Sequence, residues 1–241
     1  MKYRYIFLIS FLLQGVSFAE MRAWHCNDGT LIQGEYIGRP AQGLFSFRSP
    51  SGEIQLIAAT NLVANQLKYI QDKIPPKIEI QFRKKLNKEK GTYADPDKTL
   101  INGTLRIRKI GRDPFGGTLQ GELYYIAKEV ATDDHMMLAV GKFPIRFPDT
   151  EDQTVEFSMS AETRKYDEVN AIEIRGRNFE GYLAVVLGPS GEVLATQTDL
   201  KWLDAEEVKT MRTFHSFTFF DESCRKKSTP RMQYSNDNRA D

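Results

Sequence analysis

Short apolar runs separated by turn sequences dominate residues 21–72. In several of these runs apolar and polar positions alternate with a period of two, which is the pattern of a half-buried strand. The Asp-Gly and Pro-Ser-Gly sequences between the runs are strong turn signals. The pattern predicts four strands, at residues 22–26, 31–38, 43–48 and 53–57.

The aromatic side chains of these runs fall on one face of each predicted strand. Alternation directs Tyr36, Phe45 and Phe47 inward, and we expect them to form the core. Residues 60–70 begin with a capping-type Thr or Asn and carry apolar positions at a rough helical period, so they predict a short closing helix. Several short strands closed by one helix are typical of a small SH3-like barrel.

The spacing of tryptophan, glycine and a closing Leu-x-Tyr-Ile sequence resembles the SLA homology domain of the first type. The resemblance is carried by Trp24, Asp28, Gly29, residues 34–38, residues 43–48, Gly52, Ile54, Leu62 and residues 67–70. Members in fungal endocytic adaptors have an SH3-like fold that binds Asn-Pro-Phe-x-Asp sorting peptides, and similar modules occur in exported bacterial proteins without assigned roles. The resemblance implies an SH3-like fold and a tendency to bind peptides in residues 20–72.

A proline pair in residues 73–77 predicts a linker, and period-two runs dominate the chain beyond it. The runs predict one short helix at 202–208 and strands at residues 77–82, 100–110, 117–130, 136–147, 154–161, 171–175, 181–187, 193–198 and 211–220. This spacing is typical of an immunoglobulin-like β-sandwich over residues 78–222, so the fold class predicted for the whole chain is all-β. The expected core residues are Leu105, Ile107, Ile110, Leu123, Tyr125, Phe143, Ile145, Phe147, Val155, Phe157, Leu183, Val185 and Leu187. The polar residues 223–241 predict a disordered tail.

Residues 1–19 have a basic start, an apolar core too short to cross a bilayer and a small-residue exit. This is the pattern of a secretory signal peptide, and Ser17 and Ala19 suit a cleavage site after Ala19. An uncleaved N-terminal anchor is the alternative. No later segment is long and apolar enough to span a membrane. We therefore expect an exported protein, periplasmic or extracellular, that does not span the membrane.

Charge and cysteine content narrow the classes of function. Lys and Arg total 33 against 32 Asp and Glu, a formal net charge of +1, so no overall field favours binding to nucleic acid. The 2 cysteines are too few for a disulfide scaffold or a four-thiolate zinc site, and 3 histidines leave little for another metal site. In an oxidising compartment Cys26 and Cys224 would form one disulfide, and two unpaired thiols are the alternative.

Four local motifs carry candidate chemistry, and each has a simpler structural interpretation. The Asp-Asp-His sequence at 133–135 and the acidic segment 149–152 offer metal ligands, but both lie between predicted strands, where acidic residues cap turns. The Gly-Pro-Ser-Gly sequence at 188–191 lacks the pattern of a nucleophilic serine and predicts a hairpin turn. The basic run at 83–90 would contact anionic glycans, phospholipid headgroups or nucleic acid, but it has no interspersed aromatic residue, and we interpret it as a solvated loop. No catalytic residue, metal site or cofactor is predicted.

These observations predict a non-enzymatic binding protein of the cell envelope. Its ligand would be a peptide, a protein or a cell-wall polymer, recognised through the small barrel and the loops of the sandwich. As binding residues, alternation nominates Glu35, Arg48 and Gln55 on the outside of the barrel, with Lys68 on the closing helix. A secreted glycan-active or metal-dependent hydrolase and a structural subunit of an envelope assembly are the alternatives.

Overall fold

The computed structural model describes residues 21–41, 43–92, 95–111, 115–148, 153–166 and 175–228. The predicted signal peptide, the acidic segment 149–152 and residues 171–174 of one predicted strand lie outside the described residues. Strands dominate the described part of the chain, which confirms the all-β class. The described residues form two compact units. The small unit comprises the chain up to Glu79 with Lys109–Leu119 and Val186–Ala195, and the large unit comprises Ile80–Arg108, Gln120–Val185 and the chain from Thr196.

The first sheet, in the small unit, confirms the four predicted strands to within a few residues. Among the described residues it consists of β1 (Arg22–His25), β2 (Leu31–Ala41), β3 (Leu44–Arg48) and β4 (Ile54–Ala58). Strands that follow one another in the chain pair antiparallel, in the order β1-β2-β3-β4. This order leaves β1 and β4 as the edges of the sheet.

The expected aromatic core of the small unit is confirmed. Tyr36, Phe45 and Phe47 are buried around Trp24, and the ring centroids of Trp24 and Phe47 are 4.9 Å apart. The Trp24 indole N–H donates a hydrogen bond of 2.9 Å to the carbonyl oxygen of Gly34. Because Trp24 is only 1% exposed, this bond satisfies the one polar group that its burial removes from water.

A helix follows the strands, as predicted, but it begins later than the sequence indicates. The helix α1 (Ala64–Lys73) has Val63 as its N-cap, and no side chain caps it. The residues just before it serve another purpose, since Leu62 forms a β-bridge with Cys26 and the Asn61 side chain bonds to the turn after β1. The predicted Thr or Asn cap is therefore wrong, because Asn61 and Leu62 precede the helix and bond to β1 and the turn after it.

The second sheet contains nine strands in the described residues. They are β5 (Lys77–Glu89), β6 (Asp97–Ile110), β7 (Leu119–Glu129), β8 (His135–Ile145), β9 (Thr154–Tyr166), β10 (Arg175–Leu187), β11 (Val193–Thr198), β12 (Phe219–Phe220) and β13 (Lys226–Lys227). Their order is β13-β12-β8-β7-β10-β9-β6-β5, and β11 pairs with β10. The turn between β10 and β11 confirms the predicted hairpin, because the Gly188 N–H donates to Glu192 O at 2.8 Å.

The basic run at 83–90 is not a loop. Its residues up to Glu89 extend β5, which pairs with β6 and forms one edge of the second sheet. The prediction of a loop is wrong because main-chain pairing with β6 holds these residues extended, although nearly all their side chains are exposed. Consecutive charged residues hide the two-residue period on which strand prediction depends.

The predicted strand at 211–220 is also wrong over most of its length. The helix α2 (Ala205–Met211) ends where that strand was expected to start, and turns lead from it to β12. Asp204 caps α2 by accepting hydrogen bonds from the main-chain N–H of Glu206 and Glu207, so the helix begins three residues after its predicted start. None of the helices in the described residues is long and apolar enough to cross a membrane.

The central strands of the second sheet are buried on both faces. Residues 121–127 of β7 and 181–187 of β10 are buried without interruption. Core predictions confirmed by burial are Leu105, Ile107, Leu123, Tyr125, Ile145, Leu183, Val185 and Leu187. Only half-buried are Phe143, Phe147, Val155 and Phe157. The prediction for Ile110 is wrong, since Ile110 is 43% exposed and out of phase with the buried odd-numbered residues of β6.

Both cysteines are buried free thiols, so the predicted Cys26–Cys224 disulfide is not formed in the structure. Cys26 is enclosed in the core of the small unit, and Cys224 is buried in the large unit. Burial raises the pKa of both thiols, that of Cys224 to about 11, so both are protonated at neutral pH. Cys224 and β13 also show that the predicted disordered tail is wrong for residues 223–228, and residues 229–241 lie outside the described residues.

Phe217 offers a test of backbone strain. Its φ is +68° and its side chain is 68% exposed, so a bulky residue occupies a left-handed conformation without burying its ring. We expect Phe217→Asn to raise the free energy of unfolding by about 0.5–1 kcal/mol, because asparagine tolerates this conformation. Urea unfolding measures the change. The control Phe217→Ala removes the same ring without relieving the strain, and an equal gain from both variants would contradict the explanation.

Candidate functional site

The structure brings together two of the four residues that alternation nominated. Glu35 of β2 and Arg48 of β3 are cross-strand partners, and Arg48 Nη1 lies 3.7 Å from Glu35 Oε2. The Arg48 side chain remains 52% exposed, so it is available to a ligand. Gln55 is exposed too, but its cross-strand partner is the core residue Phe47. Because directly paired residues share a face of the sheet, Gln55 lies on the opposite face from Arg48.

Lys68 is engaged on its own helix. Its ammonium group lies 2.5 Å from Asp72 Oδ2, four residues later on α1. Both partners are on the surface, and such pairs contribute little to stability. The structure therefore places the Lys68 charge against Asp72 and not against the Glu35–Arg48 pair.

Two exposed apolar residues of β4 were not nominated from the sequence. Ile54 and Leu56 are 62% and 56% exposed. Ile54 is the cross-strand partner of Arg48, and Leu56 follows it two residues later, so both lie on the face that carries the Glu35–Arg48 pair. We refer to Glu35, Arg48, Ile54 and Leu56 as the β4 edge surface. The sequence Ile-Gln-Leu-Ile-Ala is apolar in both alternation phases, so periodicity could not indicate which face was exposed.

Within the part of the chain that the structure describes, the main chain of β4 is unpaired along its outer side. The Ala59 N–H donates to Gly43 O at 2.7 Å, which marks a hydrogen-bonded pair at the end of the β3–β4 ladder. Hydrogen-bonded and non-hydrogen-bonded pairs alternate along an antiparallel ladder. The N–H and C=O groups that point away from β3 are therefore those of Ile54, Leu56 and Ala58. No strand of the described residues pairs with that side of β4.

The side chains and the main chain of β4 are thus both arranged for contact with an additional extended strand. Natural edge strands are usually protected by lysine, proline or a bulge, and β4 carries none of these. An extended chain laid beside β4 would hydrogen-bond to its outward groups and place alternate side chains next to Ile54 and Leu56. The Glu35–Arg48 pair forms a polar border to this apolar strip.

The Asp-Asp-His sequence at 133–135 does not form one cluster. Asp133 and Asp134 pair with different lysines, at 3.1 Å and 3.3 Å, and the φ of +59° at Asp133 confirms the predicted turn. His135 instead belongs to β8 and is fully buried. Its Nδ1 lies 2.6 Å from Glu180 Oε2, and its ring stacks on Trp202 with centroids 4.8 Å apart. The expectation of a solvated turn is therefore wrong for His135, because the ring is part of the core.

No protein-family model matches the chain, and no curated protein matches it. A solved structure, described as "X-ray structure of Northeast Structural Genomics Consortium target SoR45", is similar over 53% of this chain and 92% of its own, with 10% sequence identity and a TM-score of 0.26. A similarity this weak defines neither a fold nor a function. The functional conclusion therefore depends on the residues of the β4 edge surface.

Proposed function

We propose that the protein is an exported, non-enzymatic binding protein of the cell envelope that accepts an extended peptide as an additional strand on β4. The observation that supports this is the exposure of Ile54 and Leu56 on an edge strand whose outward main chain is unpaired among the described residues. We further propose that the small unit is an SH3-like barrel and that the second sheet belongs to an immunoglobulin-like sandwich. The resemblance of residues 20–72 to the SLA homology domain, whose characterised members bind peptides, supports the same function.

The expected affinity follows from the size of the surface. Fully burying a leucine or isoleucine side chain is worth about 1.5–3 kcal/mol, and both residues here have more than half of their surface to bury. Each new main-chain hydrogen bond adds about 0.5–1.5 kcal/mol. Ordering the peptide opposes these gains, so we expect a dissociation constant of about 1–100 μM.

The first test concerns side chains. A random linear peptide library presented to residues 20–241 should select peptides with apolar residues two positions apart. Leu56→Lys should weaken their binding about tenfold or more, because a charge would then stand where the peptide buries apolar surface. Leu31→Lys is the matched control, since Leu31 is a 52% exposed leucine of the same sheet that lies on β2. Fluorescence anisotropy with a labelled selected peptide measures both variants.

The second test concerns the main chain. A selected peptide N-methylated on one set of alternate amides should lose binding, and the same peptide methylated on the other set should retain it, because only every second amide faces β4. Equal losses from both methylated peptides would show that binding does not use strand addition. Equal effects of Leu56→Lys and Leu31→Lys, or a library that selects no peptide, would reject the proposed surface.

A further inference from the structure

A second edge of the protein has the opposite chemical character. The strand β5 ends the strand order of the nine-stranded sheet, and its second half carries the basic run at 83–90. The run contains five cations, Arg83, Lys84, Lys85, Lys88 and Lys90, against the single carboxylate of Glu89, whereas the whole chain has a formal net charge of +1. A local excess of four positive charges therefore stands on one edge of the large unit.

Most of this charge is uncompensated. Lys84 Nζ lies 2.5 Å from Asp199 Oδ2 and also faces the ring of Phe179 at 5.2 Å, so Lys84 has a structural role. In the part of the chain that the structure describes, no carboxylate pairs with the other four cations, which are all exposed. These exposed like charges repel one another only weakly in water, and an anionic ligand would be attracted by all of them together.

The strand geometry defines how a ligand could reach them. Successive side chains of a strand point to opposite faces, so Arg83 and Lys85 lie on one face of β5 and Lys88 lies on the other. Side chains on the same face are about 6.6 Å apart, the spacing of alternate residues in a neighbouring strand. A polymer lying on one face would reach only part of the charge, whereas a strand that continues the sheet presents side chains to both faces.

From this arrangement we propose that β5 binds an acidic extended peptide by strand addition, with its carboxylates paired to Arg83 and Lys85 on one face and to Lys88 on the other. Main-chain hydrogen bonds along the side of β5 that no strand of the described residues pairs with supply the register, and opposite-charge cross-strand pairs supply the selectivity. This surface differs in position and chemistry from the β4 edge surface, so failure of one proposal would leave the other unaffected.

The test uses residues 20–241 and a fluorescent eight-residue peptide of glutamate and threonine whose glutamates occupy both odd and even positions, so that an added strand presents carboxylates to both faces of the sheet. Binding is measured by fluorescence anisotropy at low salt. We expect saturable binding that weakens as salt is raised, because salt screens exposed ion pairs. Arg83→Glu/Lys85→Glu should weaken binding at least tenfold. The control Lys201→Glu/Lys209→Glu makes the same change in net charge at two other exposed lysines of the large unit and should bind normally. Leu56→Lys should also bind normally, which separates this surface from the β4 edge.

Three further outcomes would overturn the proposal. Absence of binding would mean that the lysines only protect the edge from aggregation. The second outcome concerns an acidic peptide that is N-methylated at every amide. If this peptide binds as well as the unmodified one, binding depends on charge attraction alone and not on strand addition. The third outcome concerns competition by heparin. If heparin displaces the fluorescent peptide as strongly as the unlabelled peptide does at the same concentration of negative charge, the surface binds polyanions in general. Circular dichroism of both double variants checks that each retains its β-structure.

Discussion

Replacing Glu122 by alanine should lower the free energy of unfolding by about 3–5 kcal/mol. The Glu122 side chain of β7 is almost completely buried, and its carboxylate lies 2.8 Å from Arg212 Nε and 3.2 Å from Lys142 Nζ. The Tyr124 hydroxyl donates a third contact, of 2.9 Å. Truncation would leave the mostly buried Arg212 guanidinium without its partner, and an unpaired buried charge costs more than a lost surface contact.

Glu156→Ala provides the control for this measurement. Glu156 also pairs with an arginine, but the separation is 3.7 Å and the Glu156 side chain is 61% exposed, so its loss should cost at most about 1 kcal/mol. Urea unfolding followed by tryptophan fluorescence gives both values. If the two variants lost the same amount, burial of the Glu122 cluster would not be the reason for its contribution.

The same cluster predicts how stability depends on pH. Burial acts to raise the pKa of Glu122, but the hydrogen bond and charge of Arg212, helped by Tyr124 and Lys142, outweigh it and hold that pKa below its ordinary value. A carboxyl with a lowered folded pKa contributes stability above its unfolded pKa and loses it as pH falls through the folded pKa. Wild-type protein should therefore lose more stability than Glu122→Gln between pH 7 and pH 3, and parallel pH profiles would contradict this assignment.

Trp24→Ala should destabilise the small unit by about 3–5 kcal/mol. The ring is 1% exposed and contacts the rings of Tyr36, Phe47 and Tyr69, so its removal opens a cavity that these neighbours can fill only in part. It also leaves the Gly34 carbonyl without its indole donor. The free energy of unfolding is again the measured quantity.

Two comparisons make the Trp24 result specific. Leu31→Ala, at a 52% exposed position of the same sheet, should change stability by about 0.5 kcal/mol or less. Trp202, the second of the 2 tryptophans, lies in the large unit and reports on it when Trp24 is absent. A Trp24→Ala protein as stable as the Leu31→Ala protein would show that the aromatic cluster is not the core of the small unit.

The candidate site was predictable only in part. Alternation correctly placed Glu35 and Arg48 on the outer face, because β2 and β3 have one apolar and one polar phase near these residues. It could not assign β4, where Ile54, Leu56 and Ile57 make both phases apolar. Only the register with β3 shows that Ile57 faces Phe45 in the core while Ile54 faces Arg48. The same ambiguity placed Gln55 on the wrong face.

The sequence alone was sufficient to predict those strands and turns that depend only on a short stretch of chain. Strands β1 to β4 and β11 follow from alternation and turn residues, and the hairpin at 188–191 follows from Gly191, whose φ is +84°. The aromatic core around Trp24 follows from the same period of two. These properties depend on main-chain geometry over a few residues, which the sequence alone determines.

Only the tertiary structure decided which surfaces are covered. Residues 121–127 and 181–187 are buried without interruption, so both faces of these strands are covered. Of residues 211–220, Met211, Phe214, Phe219 and Phe220 are buried without forming the predicted strand, whereas Phe217 is 68% exposed. The basic half of β5 is extended because β6 pairs with it, and each cysteine is a free thiol within the core of a different unit. Burial and pairing depend on partners far away in the chain, and no local period records them.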